Sequence, residues 1–298
     1  MTDGTPRRQD GTALRFGYGT NGFGDHRLEQ ALEVIAGLGY DGVGLTLDHP
    51  HLDPFAPDAS ARTAAVGRVL DRLGLAVVIE TGARYLMDPW RKHEPTLVSD
   101  TGRERRVDLL RRAVRIAADL GAEAVSFWSG VLAPGVPEAV GWSRLTAGVG
   151  QVLEEAERHG VTCAFEPEPG MFCARLADVH ELRERLGRPE RLRVTLDVGH
   201  CVCNEPLDAA ATVSEAGPLL ANVQLDDMRP GVHEHLEFGD GGLDLPAALG
   251  ALVDAGYRGL ASVELPRHGH AAPQVAAGSL QALRAAERQA RKDRREAR

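Results

Sequence analysis

Val161-Thr162-Cys163-Ala164-Phe165-Glu166 is a short apolar run that ends on a carboxylate. Three later segments repeat the pattern: Val194-Thr195-Leu196-Asp197, Ala221-Asn222-Val223-Gln224 and Ala261-Ser262-Val263-Glu264. Each reads as a buried strand carrying a metal-binding type of side chain at its C-terminal tip. A buried carboxylate is costly unless it is paired or bound to a cation. Four such oxygen donors meeting at one end of a barrel would form a cage for a divalent ion.

Outward from these tips, one joint recurs: a helical pattern, then Gly, then a β-rich run. It is seen at Leu38-Gly39-Tyr40, Leu73-Gly74-Leu75, Leu120-Gly121-Ala122, His159-Gly160-Val161 and Ala255-Gly256-Tyr257. Glycine just past a helix accepts the left-handed conformation that ends it. The runs that follow are short and continuously apolar, as parallel strands buried on both faces are. Eight strand-then-helix units result. The spacing predicts strands near 14–19, 41–47, 75–81, 122–128, 161–166, 192–197, 220–226 and 260–264. Helices are predicted near 27–38, 59–73, 103–120, 138–159, 175–186, 207–216, 245–255 and 274–293. A barrel of about 250 residues gives roughly 31 residues per unit. Glu166 to Asp197 is about one such step and Asp197 to Gln224 slightly less. Right-handed crossovers put all the tips on one face, where such barrels keep their chemistry. The expected fold is therefore α/β, a single-domain (β/α)8 TIM barrel over 13–298, with residues 1–12 a disordered leader and the last helix ending in a charged, solvated tail.

The bulk numbers agree with a soluble enzyme. The chain has 298 residues, 43% hydrophobic and 26% charged, with a net charge of −9. Nucleic-acid affinity comes largely from clustered Lys and Arg, so this balance argues against such a partner. No apolar run is long enough to span a membrane, and the first residues carry no apolar signal segment. With four cysteines and no zinc-finger spacing, a reduced, cytoplasmic protein is expected. Cys163, Cys173, Cys201 and Cys203 read as small buried residues near strand ends, although Cys201-Val202-Cys203 beside His200 also has metal-ligand character.

The sharpest local signal is Glu166-Pro167-Glu168-Pro169-Gly170, where two prolines and a glycine force an abrupt turn that holds both carboxylates at the mouth. The plain alternative is a rigid surface turn with solvated acids. In Asp197-Val198-Gly199-His200, Gly199 permits a tight turn that brings His200 over the mouth; alternatively Asp197 caps the next helix. In Gln224-Leu225-Asp226-Asp227 a neutral amide oxygen can ligate a hard metal, or the amide is satisfied by backbone. His233-Glu234-His235 in extended chain points both rings one way. They either complete a second metal position with His200, hold substrate oxygens, or sit on a polar loop. Glu264-Leu265-Pro266-Arg267-His268 closes the eighth strand; Arg267 or His268 suits an anionic or polyhydroxyl ligand. Asp48, His49, His51 and Glu80 are read as structural ahead of functional. The long loop 82–102, with Trp90 and His93, lies on the same face, where such loops often cover substrates.

On these residues the chain resembles the xylose-isomerase-like TIM-barrel superfamily, the sugar phosphate isomerase/epimerase group. The motifs are Glu166 in a Glu-Pro pattern, Asp197-Val198-Gly199-His200, the segment through Asp226, His235 with Gly239-Asp240-Gly241, and Glu264. The resemblance covers nearly the whole chain. It implies a divalent metal on the fifth- to eighth-strand tips, which fall on Glu166, Asp197, Gln224 and Glu264. Relatives use the two Glu ligands as acid and base, here Glu166 and Glu264, and the Asp-x-x-His histidine on substrate oxygens, here His200. This chain has Gln224 where many relatives have His, as in hydroxypyruvate-isomerase-like and dehydroshikimate-dehydratase-like members. Endonuclease-IV-like members hold three zinc ions, two of whose extra ligands lie near His233 and His235, so a multinuclear site is allowed.

The expected activity is a metal-dependent isomerase or epimerase acting on a sugar, sugar phosphate or related hydroxy-carbonyl compound through an enediolate. Oxygen ligation favours Mn²⁺ or Mg²⁺, and Co²⁺ or Zn²⁺ if histidines join. His200, His235, Glu168, Arg267 and His268 are the expected substrate contacts. The runner-up is a dehydratase that expels a β-hydroxyl from the same enolate. A non-catalytic metal-binding barrel is the reading from another class, and the acidic chain disfavours a nuclease. The expected partner is a small polyhydroxy carbonyl compound, with a homo-oligomer allowed.

Overall fold

The computed structural model describes residues 13–296. The expected leader 1–12 and the last two residues lie outside them. Among the described residues, eight parallel strands close a barrel: β1 (Arg15–Gly19), β2 (Gly42–Thr46), β3 (Ala76–Glu80), β4 (Val125–Phe127), β5 (Cys163–Phe165), β6 (Leu192–Asp197), β7 (Leu220–Leu225) and β10 (Leu260–Val263). The order around the barrel is that of the chain, with β10 closing onto β1 through the pair Phe16 and Ala261. Between them run α1 (Leu28–Leu38), α2 (Ala59–Leu73), α3 (Arg103–Leu120), α4 (Glu138–His159), α5 (Leu176–Arg185), α6 (Val198–Asn204), α7 (Ala209–Ala216) and α8 (Leu245–Asp254), and α9 (Ala272–Glu296) closes the ring. The glycine joints behave as expected: Gly74 ends α2 at φ 67° and Gly160 ends α4 at φ 70°, conformations that a side chain would strain.

Two elements depart from the sequence expectation. Asp197 leads directly into the short helix α6, and the next helix begins at Ala209 rather than 207. A hairpin, β8 (Asp227–Arg229) with antiparallel β9 (Val232–Leu236), stands outside the barrel after β7.

The period-two alternation of the strands builds the site in layers. Near the N-terminal ends, Val78, Ala124, Ala164 and Leu260 form a small buried cluster separate from the main core. Two residues further on, at lumen-facing parity, the chain turns polar. Thr195 Oγ1 donates to Ser126 Oγ at 2.8 Å, and Asn222 Nδ2 donates to Glu80 Oε1 at 3.2 Å. Glu80 and Glu166 stand two residues beyond Val78 and Ala164, and Asp197, Gln224 and Glu264 two residues beyond Thr195, Asn222 and Ser262. An apolar plug thus gives way, toward the strand tips, to hydrogen-bonded hydroxyls and amides and to four acids with the amide of Gln224.

Candidate metal centre

Asp197 is buried, with 1% of its surface exposed, and its two oxygens have different fates. Oδ1 caps α6, accepting the backbone N–H of Gly199 at 2.7 Å and of His200 at 3.1 Å. Oδ2 has no hydrogen-bond partner. The expected tight turn at Gly199 is instead the first turn of this helix. The glycine is needed for another reason: a Cβ there would meet Asp226 Oδ1 at 1.8 Å. The helix then carries His200 back toward the strand tips, where its Nδ1 lies 3.7 Å from Glu166 Oε1.

Gln224 is register-paired with Asp197 across β6 and β7, and with Ser262 across β7 and β10. Its Nε2 donates to Glu80 Oε2 at 3.4 Å, while Oε1 has no partner. Glu264 follows β10, and its Oε1 accepts from Asn21 Nδ2 at 2.9 Å. Asp226 is fully buried; Oδ2 accepts from His235 Nδ1 and Oδ1 is unpartnered. Buried polar atoms are normally paired. Asp197 Oδ2, Gln224 Oε1, Asp226 Oδ1 and His200 Nδ1 are without an ordinary partner, as are neutral groups such as Thr46 Oγ1 and Ser262 Oγ, and the Asp197 and Asp226 carboxyls interact with each other; the four are atom types that ligate divalent cations.

Three groups of three ligand atoms lie within 4.8 Å of one another: Glu166, Asp197 and His200; Asp197, Asp226 and His235; and His200, His233 and His235. In the last, His200 Nε2 is 3.2 Å from His233 Nε2. The strand β9 presents His233 and His235 together, as the extended H-x-H spacing requires. The third group is nitrogen-rich and suits Zn²⁺ or Co²⁺; the oxygen donors suit Mn²⁺ or Mg²⁺.

Burial dominates the electrostatics. It raises Glu166, Glu264 and Asp226 well above the ordinary carboxylate range, and neighbouring carboxylates add to each. Burial raises Glu80 to about 7 and raises Glu168 as well. Burial lowers His233 to about 4 and His235 to about 3. For Asp197 burial also pushes upward, but His200, His235 and the capping N–H outweigh it and hold the carboxyl low. Neutral imidazoles and crowded carboxylates are what a metal site needs, because the cation removes the repulsion.

A cavity of about 270 Å³ opens above these groups. Of the residues expected to act, Glu166, Glu168, Gln224, His233, His235, Glu264 and Arg267 line it. Asp197 and His200 lie buried beside it, joined to Glu166 as described. His268 does not line it; its Nε2 is 4.0 Å from Glu237 Oε1. The loop 82–102 contributes Arg84, Lys92 and His93 to the walls. Glu80, read as structural from sequence, is on the floor; it ends a β-branched run just as Glu166 does, and that signal identifies it. Asp227 is structural, its carboxylate accepting backbone N–H groups of Met228, Gly239, Gly241 and Leu243.

Residues 32–286 match a family model described as xylose isomerase-like TIM barrel. A fructoselysine 3-epimerase of Shigella flexneri is 25% identical over 250 residues, covering 80% of this chain and 85% of that one. The solved structure of an L-ribulose 3-epimerase superposes with a TM-score of 0.77 at 19% identity, covering 96% of this chain and 98% of that one. A D-allulose 3-epimerase from Methylomonas sp., in complex with D-allulose, superposes with a TM-score of 0.72 at 17% identity, covering 91% and 96%.

Proposed function

The chain belongs to the xylose isomerase-like TIM-barrel family, and on that premise we propose that it is a divalent-metal-dependent isomerase or epimerase of a sugar or related hydroxy-carbonyl compound. The observation that carries this reading is the set of unpartnered buried oxygens on Asp197 and Gln224, beside Glu166 and Glu264, at one end of the barrel. Those four residues would hold the ion, Mn²⁺ or Mg²⁺ by their oxygen donors; Glu166 and Asp197 share a close group of ligand atoms, whereas Glu264 stands outside all three such groups. Bound there, a divalent ion supplies Lewis acidity toward a carbonyl and its neighbouring hydroxyl.

The chain's own residues supply the proton transfers. Glu264 and Glu166 line the cavity, and burial has raised both carboxyls well above the ordinary carboxylate range, which favours a group that both takes and gives a proton. One removes the proton from the carbon next to the carbonyl, leaving an enediolate; the other returns a proton on the opposite face. Return to the same carbon inverts it, which is epimerisation, and return to the neighbouring carbon is isomerisation. His200, Glu168 and His235 would hold substrate hydroxyls; Glu168 and His235 line the cavity and His200 is buried beside it. His200, His233 and His235 also form a candidate second metal position. Two relatives of known structure and one by sequence are named as sugar 3-epimerases, which favours inversion; none of the three is named as a dehydratase. Among the described residues no helix is long and apolar enough to cross a membrane, and four free cysteines suit a reducing compartment, the cytoplasm.

The test is hydrogen exchange. Mn²⁺-loaded protein incubated in ²H₂O with ketopentoses and ketohexoses should incorporate solvent deuterium at the carbon beside the carbonyl. Glu166→Gln and Glu264→Gln should each lower that rate by about 10²–10⁴-fold. Near-normal exchange in both variants would remove the mechanism.

A further inference from the structure

The floor of the cavity is acidic, but its rim is not. Arg84, Lys92 and Arg267 all line it, two from the loop after β3 and one from the turn after β10. Arg84 Nε lies 3.7 Å from Asp48 Oδ2. Among the described residues neither Lys92 nor Arg267 has a hydrogen bond or an ion pair. The three charges nevertheless act on one another. Burial first, then Arg84 and Arg267, lower Lys92, with Glu168 opposing them. After burial and the neighbouring histidine, Arg267 and Lys92 also help to hold His233 down.

Two further facts give this rim meaning. A divalent ion among the floor carboxylates would offset part of the negative charge below the rim, and of the three rim cations only Arg84 has an ion-pair partner among the described residues, Asp48. The loop bearing Arg84 and Lys92 is also clamped from beneath. Arg106, 2% exposed, donates to Thr81 O at 3.1 Å and Pro95 O at 2.9 Å, and also bonds His93 O. Cations held ready on a fixed loop bind an anion with less ordering to be done.

We propose that the substrate carries an oxyanion, a phosphate or a carboxylate, at the end remote from its reacting carbons, and that Arg84, Lys92 and Arg267 receive it. The inference rests on the isomerase or epimerase reading and narrows its substrate class. The carbonyl end lies over the acids and Gln224, and the anion lies at the solvent end. Arg267 offers the planar fork that fits either oxyanion, and Lys92 adds a compact charge.

The test is calorimetric titration of the Mn²⁺-loaded protein with ribulose against ribulose 5-phosphate, and with fructose against fructose 6-phosphate and fructuronate. In at least one set the anionic member should bind about tenfold or more tightly than its neutral counterpart, as charge-assisted hydrogen bonds allow. Added salt should shrink that ratio. The Lys92→Ala and Arg267→Ala double variant should bring it near unity, and phosphate against carboxylate is read from which set responds. Equal binding throughout, no binding of any anionic member at millimolar concentration, or a ratio unchanged in the double variant would each overturn the proposal; the last would put the anion on the metal. Failure of the underlying reading is seen separately, as absence of deuterium exchange with neutral and anionic sugars alike.

Discussion

Gln224 donates its amide N–H to Glu80 Oε2 across 3.4 Å, and this turns its Oε1 toward the strand tips without a partner. Asn222 approaches the other oxygen of Glu80 at 3.2 Å. Glu80 thus accepts from two amides and fixes which end of Gln224 faces the other tip residues. A neutral amide ligates through oxygen only, so its orientation decides whether the site has a fourth donor.

Glu80→Gln should therefore weaken Mn²⁺ binding by about 10–100-fold, the usual effect of losing a partner that orients a ligand. The amide of Gln224 is then free to turn its NH₂ toward the ion. Titration calorimetry reads the affinity, and circular dichroism should show the barrel unchanged. An affinity equal to wild type would leave Glu80 with a purely structural role.

The crowded carboxylates also predict how stability follows pH. Burial raises Glu80 to about 7 in the folded state, above its ordinary 4.5. The folded state then holds the proton more tightly than the unfolded one, so stability present at low pH is lost as pH rises through 7. His93 and His233, lowered chiefly by burial to about 4, act in the opposite sense, but only below their unfolded value of about 6.5. Above that value the carboxylates alone decide. The melting temperature of metal-free protein should fall from about pH 6.5, where the histidine contribution ends, through about pH 7, where Glu80 loses its proton in the folded state. With Mn²⁺ present it should be flat or rise, because ligands bind deprotonated. Differential scanning fluorimetry with and without chelator checks both signs.

The two histidines of β9 allow a count. If His200, His233 and His235 bind their own ion, protein exposed to excess Zn²⁺ or Co²⁺ should retain about two equivalents and the His235→Ala variant about one. Elemental analysis after desalting gives the numbers. One equivalent in both would assign the trio to substrate rather than metal.

Much of this arrangement is legible in the chain itself. Strand β3 is readable because its Val77-Val78-Ile79 run is buried on both faces, β6 is readable despite the exposed Arg193 because Val194-Thr195-Leu196 is buried, and the glycines that end α2 and α4 mark the joints. The acid at each tip follows from the same pattern, since a carboxylate closing an apolar strand must have a cation or a partner. Glu166 and Glu264 were legible in this way, and Glu80 carries the identical signal. What the pattern hides is local. The residues Val198–Asn204 have no strong helical signature; α6 forms because Asp197 caps it and Gly199 lets Asp226 approach. The hairpin of β8 and β9 is announced by Pro230-Gly231, yet its pairing, Asp227 with Leu236, depends on contacts distant from the turn. Arg267 is legible in sequence as a candidate for an anionic ligand, but its meeting with Arg84 and Lys92 is not, because the loop that carries those two, held by its backbone carbonyls on Arg106, has no periodicity to read.

The central claim is that one divalent ion is shared by residues from four separate strand tips. Crystals soaked in Mn²⁺ and measured at a wavelength where manganese scatters anomalously test it directly. The account predicts an anomalous peak within about 2.0–2.4 Å of oxygens from Glu166, Asp197, Gln224 and Glu264. A fully loaded crystal with its ion elsewhere, or bound by the histidines alone and away from Gln224 and Glu264, would contradict it.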